Sequence, residues 1–207
     1  MAERKANKSG EDTRTRIIEA ALETVRSEGL VGTSARVIAR TGGFNQALVF
    51  YHFGSIDELL LAALERANDR RIERFGDRLE AVQDLPGIVN LALQMHAETD
   101  DADFAALTAI VAGWSVKSEG GSRIVEILKP WDDRLAGALN RSLANTPYGS
   151  IVPTKDLAHA MSALFLGLEL MSRLEADSTR TAGLYSSLTG SAVFLSAVLN
   201  DEPKSER

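Results

Sequence analysis

SARVIARTGGFNQALVFYHFGSIDEL, residues 34–59, is the stretch of sequence that decides the fold. Its first part predicts a short helix over 35–40, which Gly42-Gly43 closes. Its second part predicts another short helix over 46–52, capped by Asn45. Because two short helices joined by a tight glycine-bearing turn cross at a steep angle, the stretch predicts a helix-turn-helix.

The residues around this turn meet its packing requirements. Ala39 is small enough for the two helices to touch, and Gly43 tolerates the positive φ that the turn needs. Apolar side chains hold both helices to a core, and these are Val37, Ile38, Phe44 and Val49. A small residue four positions before Gly, with an aliphatic residue six positions further on, is therefore typical of the motif.

Helical patterns continue on both sides of this stretch. Upstream, apolar residues recur at helical spacing in a helix that starts at Asp12 or Thr13, runs to about Ser27 and ends at Gly29. Downstream, Ser55 begins a long fourth helix with Asp57-Glu58 in its first turn. Further helices are predicted over 87–98, 103–117, 122–144, 154–175 and 180–199. No run alternates β-branched with polar residues, so the chain is predicted to be all-α with about nine helices.

The charge of the chain is unevenly distributed. The net charge is -6, but residues 1–55 hold eight Lys/Arg against six acidic residues, and residues 56–207 hold fifteen against twenty-three. A basic end on an acidic body suits a protein that touches phosphates at one end only. We therefore predict a disordered basic tail over 1–11, a helix-turn-helix domain over 12–55 and a second helical domain over 56–207.

Composition disfavours several other classes of protein. With no Cys, the chain has no disulfide, thiolate nucleophile or Cys-based zinc site, and its three His residues form no metal-binding pair on one helix face. Neither a cofactor nor an enzyme is expected. The apolar stretch 158–174 is interrupted by His159, Ser162, Glu169 and Arg173, so a buried helix is predicted rather than a membrane span. The N-terminus carries no apolar signal segment, which favours a cytoplasmic protein.

The residues that follow the turn carry a family resemblance. Val49-Phe50-Tyr51-His52-Phe53-Gly54-Ser55, with Asp57-Glu58-Leu59-Leu60 after it, resembles the signature that ends the recognition helix and begins helix four in TetR-family regulators. The helix ending at Gly29, the Thr33-Ser34 cap and Arg36 followed by Ile38-Ala39 are similar too. The resemblance covers about residues 12–65 by motif, and residues 66–207 only in length and helical character.

That resemblance implies that the helix 46–52 enters the major groove of double-stranded DNA. Side-chain chemistry is consistent with this, because amides such as Gln46 read the edge of adenine. The predicted DNA contacts are Arg14, Arg16, Thr33, Ser34, Arg36, Asn45, Gln46, Ala47, Leu48, Tyr51, His52 and Ser55. At two positions the chain differs from many relatives, which have Lys where Ile56 stands and Thr where Leu48 stands. The first difference puts one contact with the DNA backbone in doubt. Phe50 and Phe53 are predicted to be packing residues.

The resemblance also implies a C-terminal domain that binds a small-molecule effector and forms a homodimer. The predicted dimer interface comprises Met161, Phe165, Leu168, Leu188, Ser191 and Leu195. The predicted pocket, for a small and largely apolar effector, comprises Met95, His96, Phe104, Leu107, Val111, Trp114, Trp131 and Phe165, and its possible polar anchors are His96, Glu169 and Arg173. A repressor that leaves a pseudo-palindromic operator on binding its effector is expected. Activation, a DNA-binding or architectural dimer that senses no small molecule, and a larger monomeric core remain alternatives.

Overall fold

The computed structural model describes residues 2–98, 102–114, 121–174 and 179–200, which form nine helices and no strand. In chain order the helices are α1 (Ala2–Glu28), α2 (Ala35–Gly42), α3 (Ala47–Phe53), α4 (Ile56–Ala81), α5 (Leu85–Ala97), α6 (Ala102–Trp114), α7 (Gly121–Leu143), α8 (Thr154–Leu174) and α9 (Thr179–Asn200). The prediction of an all-α fold is confirmed.

Two predicted helix starts are wrong. The first helix begins at Ala2, so the start predicted at Asp12 or Thr13 is not used, and the tail predicted over 1–11 is helical from Ala2. Ala, Lys, Glu and Arg dominate those residues, and these favour helix strongly enough to carry it past Gly10. The fifth helix begins at Leu85 rather than 87, because Asp84 accepts the N–H of Gly87 at 2.7 Å.

The described residues divide into two compact units. Unit 1 contains the residues up to Arg71 together with 102–128, and unit 2 contains 72–98 and the described residues from Lys129 onward. Helices α4 and α7 contribute residues to both units. The division differs from the predicted domain boundary at residue 55, because the first half of α4 and all of α6 cluster with the helix-turn-helix.

Unit 1 is built around α1, which packs against α2 and α6. Its core residues from these helices and from α3 and α4 are fully or nearly fully buried, and they include Ile17, Ala21, Ile38, Val49, Leu59, Leu64, Leu107 and Ile110. Burial of one such aliphatic side chain stabilises a fold by about 1.5–3 kcal/mol. Arg70 adds a polar tie, since its guanidinium bonds Asp103 at 3.0 Å and also pairs with Glu19. Helix α3 is thereby attached to this core.

Unit 2 places α9 against α5 and α8. Leu79, Leu91, Trp131, Leu139, Leu143, Ala158 and Tyr185 are buried in its core. At the end of α4, the Arg141 guanidinium donates to the carbonyl oxygens of Leu79 at 3.0 Å and Val82 at 3.3 Å. These bonds satisfy carbonyls that the end of a helix leaves without intrahelical partners.

The prediction that 158–174 is a buried helix is wrong for most of α8. Only 22% of its most apolar window is buried, and Leu157, Leu164, Met171 and Leu174 are exposed. By length and composition α8 could cross a membrane. The pattern arises because its apolar residues occupy more than one helical face, so that the remainder of unit 2 covers only part of them.

Candidate nucleic-acid interface

The turn between α2 and α3 is set by local backbone requirements. Ser34 is the N-cap of α2, and its Oγ accepts the N–H of Val37 at 3.4 Å. The hydroxyl of Thr33 donates to the carbonyl of Gly29 at 2.8 Å. At the other end Gly43 adopts φ +66°, and its N–H donates to the carbonyl of Ala39. The predicted cap and the predicted left-handed glycine are both confirmed.

Gly42 has a different role from Gly43, which the sequence pattern did not separate. A Cβ on Gly42 would lie 2.1 Å from Cε1 of Phe44 and 2.8 Å from Cβ of Ala20. The absence of a side chain therefore lets the end of α2 approach both α1 and the Phe44 ring. A requirement for close approach leaves no sequence signal beyond the glycine itself.

The recognition helix α3 is held in unit 1 by a single fully buried residue. Val49 is 0% exposed, whereas every other residue of the helix is at least partly exposed. The predicted N-cap at Asn45 is wrong by one residue, because α3 begins at Ala47 and Gln46 is its N-cap, with no capping bond from the Gln46 side chain. Asn45 instead accepts the N–H of Ala47 at 2.9 Å through its side-chain Oδ1, in the turn just before the helix. Gly54, at φ +75°, ends the helix and donates its N–H to Phe50.

Polar and aromatic side chains cover the outer face of α3. Asn45, Gln46 and Ala47 are exposed, Tyr51 is 82% exposed, and Leu48 is half-buried. Phe50 was predicted to pack in the core but is 50% exposed. Because successive helical residues are rotated by 100°, Val49 takes the inward direction and the next side chain turns away from it.

Arginines from α2 lie beside this face. An open groove of about 490 Å³ is lined by Arg36, Ala39, Arg40, Gly43, Phe44, Asn45 and Gln46. Arg36 and Arg40 are both exposed, and Arg40 is 3.5 Å from the carboxylate of Glu28. Guanidinium and amide groups together on one exposed groove are the donors that phosphates and base edges accept.

The two predicted arginine contacts on α1 are exposed and positioned by intramolecular contacts. The Arg14 guanidinium lies 4.9 Å from the centroid of the Phe53 ring, and an Arg16 nitrogen donates to the carbonyl of Gly42 at 3.4 Å. The half-buried Phe53 therefore does pack, against a cation. Arg14 therefore lies against the end of α3, and Arg16 lies against the end of α2.

A smaller pocket lies behind the end of α3. It measures about 310 Å³ and is lined by Arg14, His52, Phe53, Glu58, Leu61, Ala62, Glu65, Arg123, Glu126 and Ile127. Ser55 caps α4 there by accepting the N–H of Glu58 at 3.1 Å. The hydrogen bond from the Arg123 guanidinium holds the pKa of Glu58 below its usual value. No sequence signal joins Glu58 to Arg123, which is 65 residues away.

The predicted effector-binding residues fall in both units. Phe104, Leu107 and Trp114 are buried and Val111 is half-buried in unit 1, whereas Met95, His96, Trp131 and Phe165 belong to unit 2. Within unit 2, the rings of His96 and Phe165 both lie against Tyr185, with centroid distances of 4.8 Å and 6.3 Å. Sequence reasoning missed Tyr185, whose apolar and polar neighbours on α9 gave it no distinction.

Most of the predicted dimer residues lie along exposed parts of α8 and α9. Leu195 is 47% exposed, Ser191 is exposed, and Met161, Leu168 and Leu188 are half-buried. Phe165 differs, because it is buried inside unit 2 and cannot face a partner. The same two helices expose further large apolar side chains, which are Leu157, Leu164, Met171, Leu174, Leu184, Val193, Phe194 and Val198.

Comparison with known proteins agrees with this geometry. Residues 17–63 match the family described as "Bacterial regulatory proteins, tetR family". No curated protein matches the chain. The matched segment contains the whole of α2 and α3 and ends within α4, so it coincides with the helix-turn-helix and its supports.

Solved structures match over nearly the whole chain. The transcriptional regulator of the TetR family from Cytophaga hutchinsonii is 16% identical, with a TM-score of 0.75 over 94% of this chain and 98% of that one. The fatty acid degradation regulator FadR from Bacillus halodurans is 14% identical, with a TM-score of 0.64 over 86% and 92%. The multidrug binding protein EbrR complexed with ethidium is 22% identical, with a TM-score of 0.59 over 85% and 98%. At these identities the likeness shows a shared fold.

Proposed function

We propose that this chain, whose residues 17–63 match the tetR family, is a DNA-binding transcriptional regulator that acts as a ligand-responsive repressor and binds a pseudo-palindromic operator as a homodimer. A small, largely apolar effector releases it from the operator, and both events take place in the cytoplasm. The observation that carries this proposal is the outer face of α3, where Gln46, Ala47 and Tyr51 are exposed while only Val49 is buried.

Each exposed group on this face suits a different part of DNA. The Gln46 amide can both donate to and accept from adenine in the major groove, and the Ala47 methyl suits a thymine methyl. Tyr51 and His52 are proposed to contact phosphates, as the family resemblance implies, and such contacts position the protein without reading sequence. Since α3 itself contains no Arg or Lys, the salt-dependent attraction falls to Arg14, Arg16, Arg36 and Arg40 and to basic residues near the N-terminus.

A second copy of the chain is the proposed cover for the exposed apolar faces of α8 and α9. Monomers seldom expose large contiguous apolar surfaces, and Phe194 alone is 71% exposed. Two copies related by a two-fold axis present two recognition helices, which match half-sites about 34–36 Å apart. A membrane is the competing partner for α8, and the oligomeric state in detergent-free solution distinguishes the two.

Effector binding is supported by the aromatic cluster in unit 2. The rings of His96, Phe165 and Tyr185 lie together, as in many sites for flat apolar ligands. EbrR, a protein of the same fold, is complexed with ethidium, a small organic molecule. This supports a small organic effector for the present chain. The effector releases the repressor if it binds more tightly to the conformation that reads DNA poorly.

Selection of binding sites from random duplex DNA, with the full chain at physiological salt, tests the proposal. We expect a pseudo-palindrome whose affinity falls by about 5- to 150-fold in Gln46→Ala, because a bidentate amide contact discriminates by roughly 1–3 kcal/mol. Gln83→Ala is the matched control, since Gln83 is an exposed amide of unit 2. Recovery of no enriched motif would overturn the proposed function.

A further inference from the structure

Unit 2 contains a carboxylate that is completely buried. Glu169 of α8 is 0% exposed, and its Oε1 accepts the phenolic hydrogen of Tyr185 at 3.1 Å. The same Oε1 lies 2.6 Å from Nδ1 of His96. The other oxygen, Oε2, is buried and has no hydrogen-bond partner among the described residues. The polar contacts of this side chain are therefore confined to one of its two oxygens.

Such a half-satisfied carboxylate is an unfavourable way to fill a core. A buried charge is tolerated when it is paired and when its remaining lone pairs accept hydrogen bonds. A purely structural Glu169 would need polar partners at both oxygens, whereas both of its partners here, His96 of α5 and Tyr185 of α9, meet at Oε1. A buried polar atom without a partner is uncommon in a folded protein and calls for an explanation, and a ligand that donates to it is one.

The surroundings of the carboxylate are aromatic. The His96 ring stacks on the Tyr185 ring at 4.8 Å with an interplanar angle of 29°, and Phe165 meets Tyr185 edge-on at 6.3 Å. Burial, together with the charge of Glu169, raises the pKa of Tyr185. Its phenol therefore stays protonated and continues to donate to Oε1, which leaves Oε2 as the accepting atom.

We propose that Glu169 Oε2 binds a positively charged N–H group of the effector, and that His96 and Tyr185 are positioning residues that orient the carboxylate. This inference rests on the proposed function and narrows its effector to a flat, largely apolar molecule with one cationic nitrogen group. A neutral donor would satisfy the lone pairs of Oε2, but a cation also compensates the buried charge.

A charge series of ligands tests the proposal on the unmodified chain, without DNA. Benzamidine, benzamide and benzoate share one ring and carry positive, neutral and negative groups, so calorimetric titration isolates the effect of charge. We expect benzamidine to bind roughly tenfold or more tightly than benzamide, and benzoate to bind weakest, since hydrogen bonds to charged groups are the stronger class. Equal affinity for benzamidine and benzamide, or binding of none of the three, would overturn the proposal.

Two variants locate the effect. Glu169→Gln keeps the shape of the side chain and should abolish the preference for benzamidine over benzamide. Glu126→Gln is the matched control, because Glu126 is an exposed glutamate that lines the smaller pocket of unit 1, behind the end of α3. Loss of benzamidine binding in Glu126→Gln, with retention in Glu169→Gln, would show that the cation binds in unit 1 and would contradict the proposal.

A third variant covers the case in which Glu169→Gln does not fold. Tyr185→Phe removes one donor to Oε1 and leaves the carboxylate in place. We expect it to weaken benzamidine binding while the preference over benzamide persists, as a positioning role requires. Unchanged affinity would exclude that role for Tyr185. The benzamidine titrations involve no DNA, so a negative result would not contradict the proposed recognition of an operator. Likewise, the titrations can be interpreted even if the selection from random DNA recovers no motif.

Discussion

Helices α3 and α9 both present much of their surface to solvent, but their exposed side chains differ in kind. At α3 and its N-cap the exposed residues include the polar Gln46 and Tyr51, and one valine anchors the helix. On α9 the exposed residues include Phe194 at 71% and Val193 at 53%. Water solvates the first set well, whereas the second set costs free energy until another apolar surface covers it.

The difference indicates how lasting the association of each surface with its partner is. Apolar area removed from water contributes about 25 cal/mol per Å², so an apolar face favours permanent association. A polar face with nearby arginines has no such demand and can alternate between water and phosphates. The contrast therefore predicts a lasting protein interface at α9 and a reversible interface at α3.

The largest expected effect is loss of the dimer in Phe194→Lys. A charge placed in the centre of an apolar interface is left buried without a partner, and central aromatic residues often contribute 2 kcal/mol or more, to judge from typical hot spots. We expect a dimer in the unmodified chain and a monomer in the variant by sedimentation, with operator affinity reduced about 100-fold or more, since each half-site alone binds weakly.

Val31→Lys is the control for that experiment. Val31 is fully exposed in the segment after α1, so its replacement by Lys also converts an exposed apolar residue into a cation. It should leave the oligomeric state unchanged. A Phe194→Lys protein that still sediments as a dimer would contradict the assignment of α9 as the lasting interface.

An intermediate effect is expected from a pair of glycine substitutions. Gly42→Ala should destabilise the fold by about 1–3 kcal/mol, because the new methyl group collides with Phe44 and Ala20. Gly10→Ala makes the same change within α1, where nothing lies within 4 Å of the new Cβ, and should stabilise by about 0.5–1 kcal/mol. Urea denaturation measures both, and effects of the same sign would refute the close-approach explanation for Gly42.

The smallest effect is expected from the exposed ion pair between Glu58 and Arg123. The pKa of Glu58 is lowered in the fold, so its contribution to stability is present above its unfolded pKa and is lost as the pH falls through the folded pKa. Glu58→Gln should therefore be slightly destabilised at neutral pH, and the difference should shrink as the pH falls below about 4 and vanish below the folded pKa of Glu58. Thermal unfolding across that pH range measures this, with Glu126→Gln as the reference. A destabilisation of Glu58→Gln that grows as the pH falls would contradict the prediction.

The comparison of α3 with α9 also separates what the sequence predicts well from what it does not. Gly43, Ser34 and Asn45 act on their own backbone within a few residues, so residue type and spacing were enough to place them to within one residue. Their effect is local. The same holds for Gly29, whose φ of +70° matches its predicted role at the end of α1.

Contacts distant in sequence were not predictable in this way. Glu169 meets His96 across 73 residues, and Glu58 meets Arg123 across 65. A single sequence contains no record of such pairing, and it grouped the proposed effector residues without separating those of unit 1 from those of unit 2. Phe50 was misplaced for a related reason, because α3 is too short for periodicity to define which of its faces is buried.

The single buried anchor of α3 has a consequence for the history of such proteins. Since Val49 alone is fully enclosed, the exposed residues at 46, 47 and 51 can change without disturbing the interior. Random substitution there would alter which sequence is recognised while the scaffold stays folded. A duplicated copy of the gene could thus acquire new targets quickly, and a library randomised at these positions should contain mostly folded members.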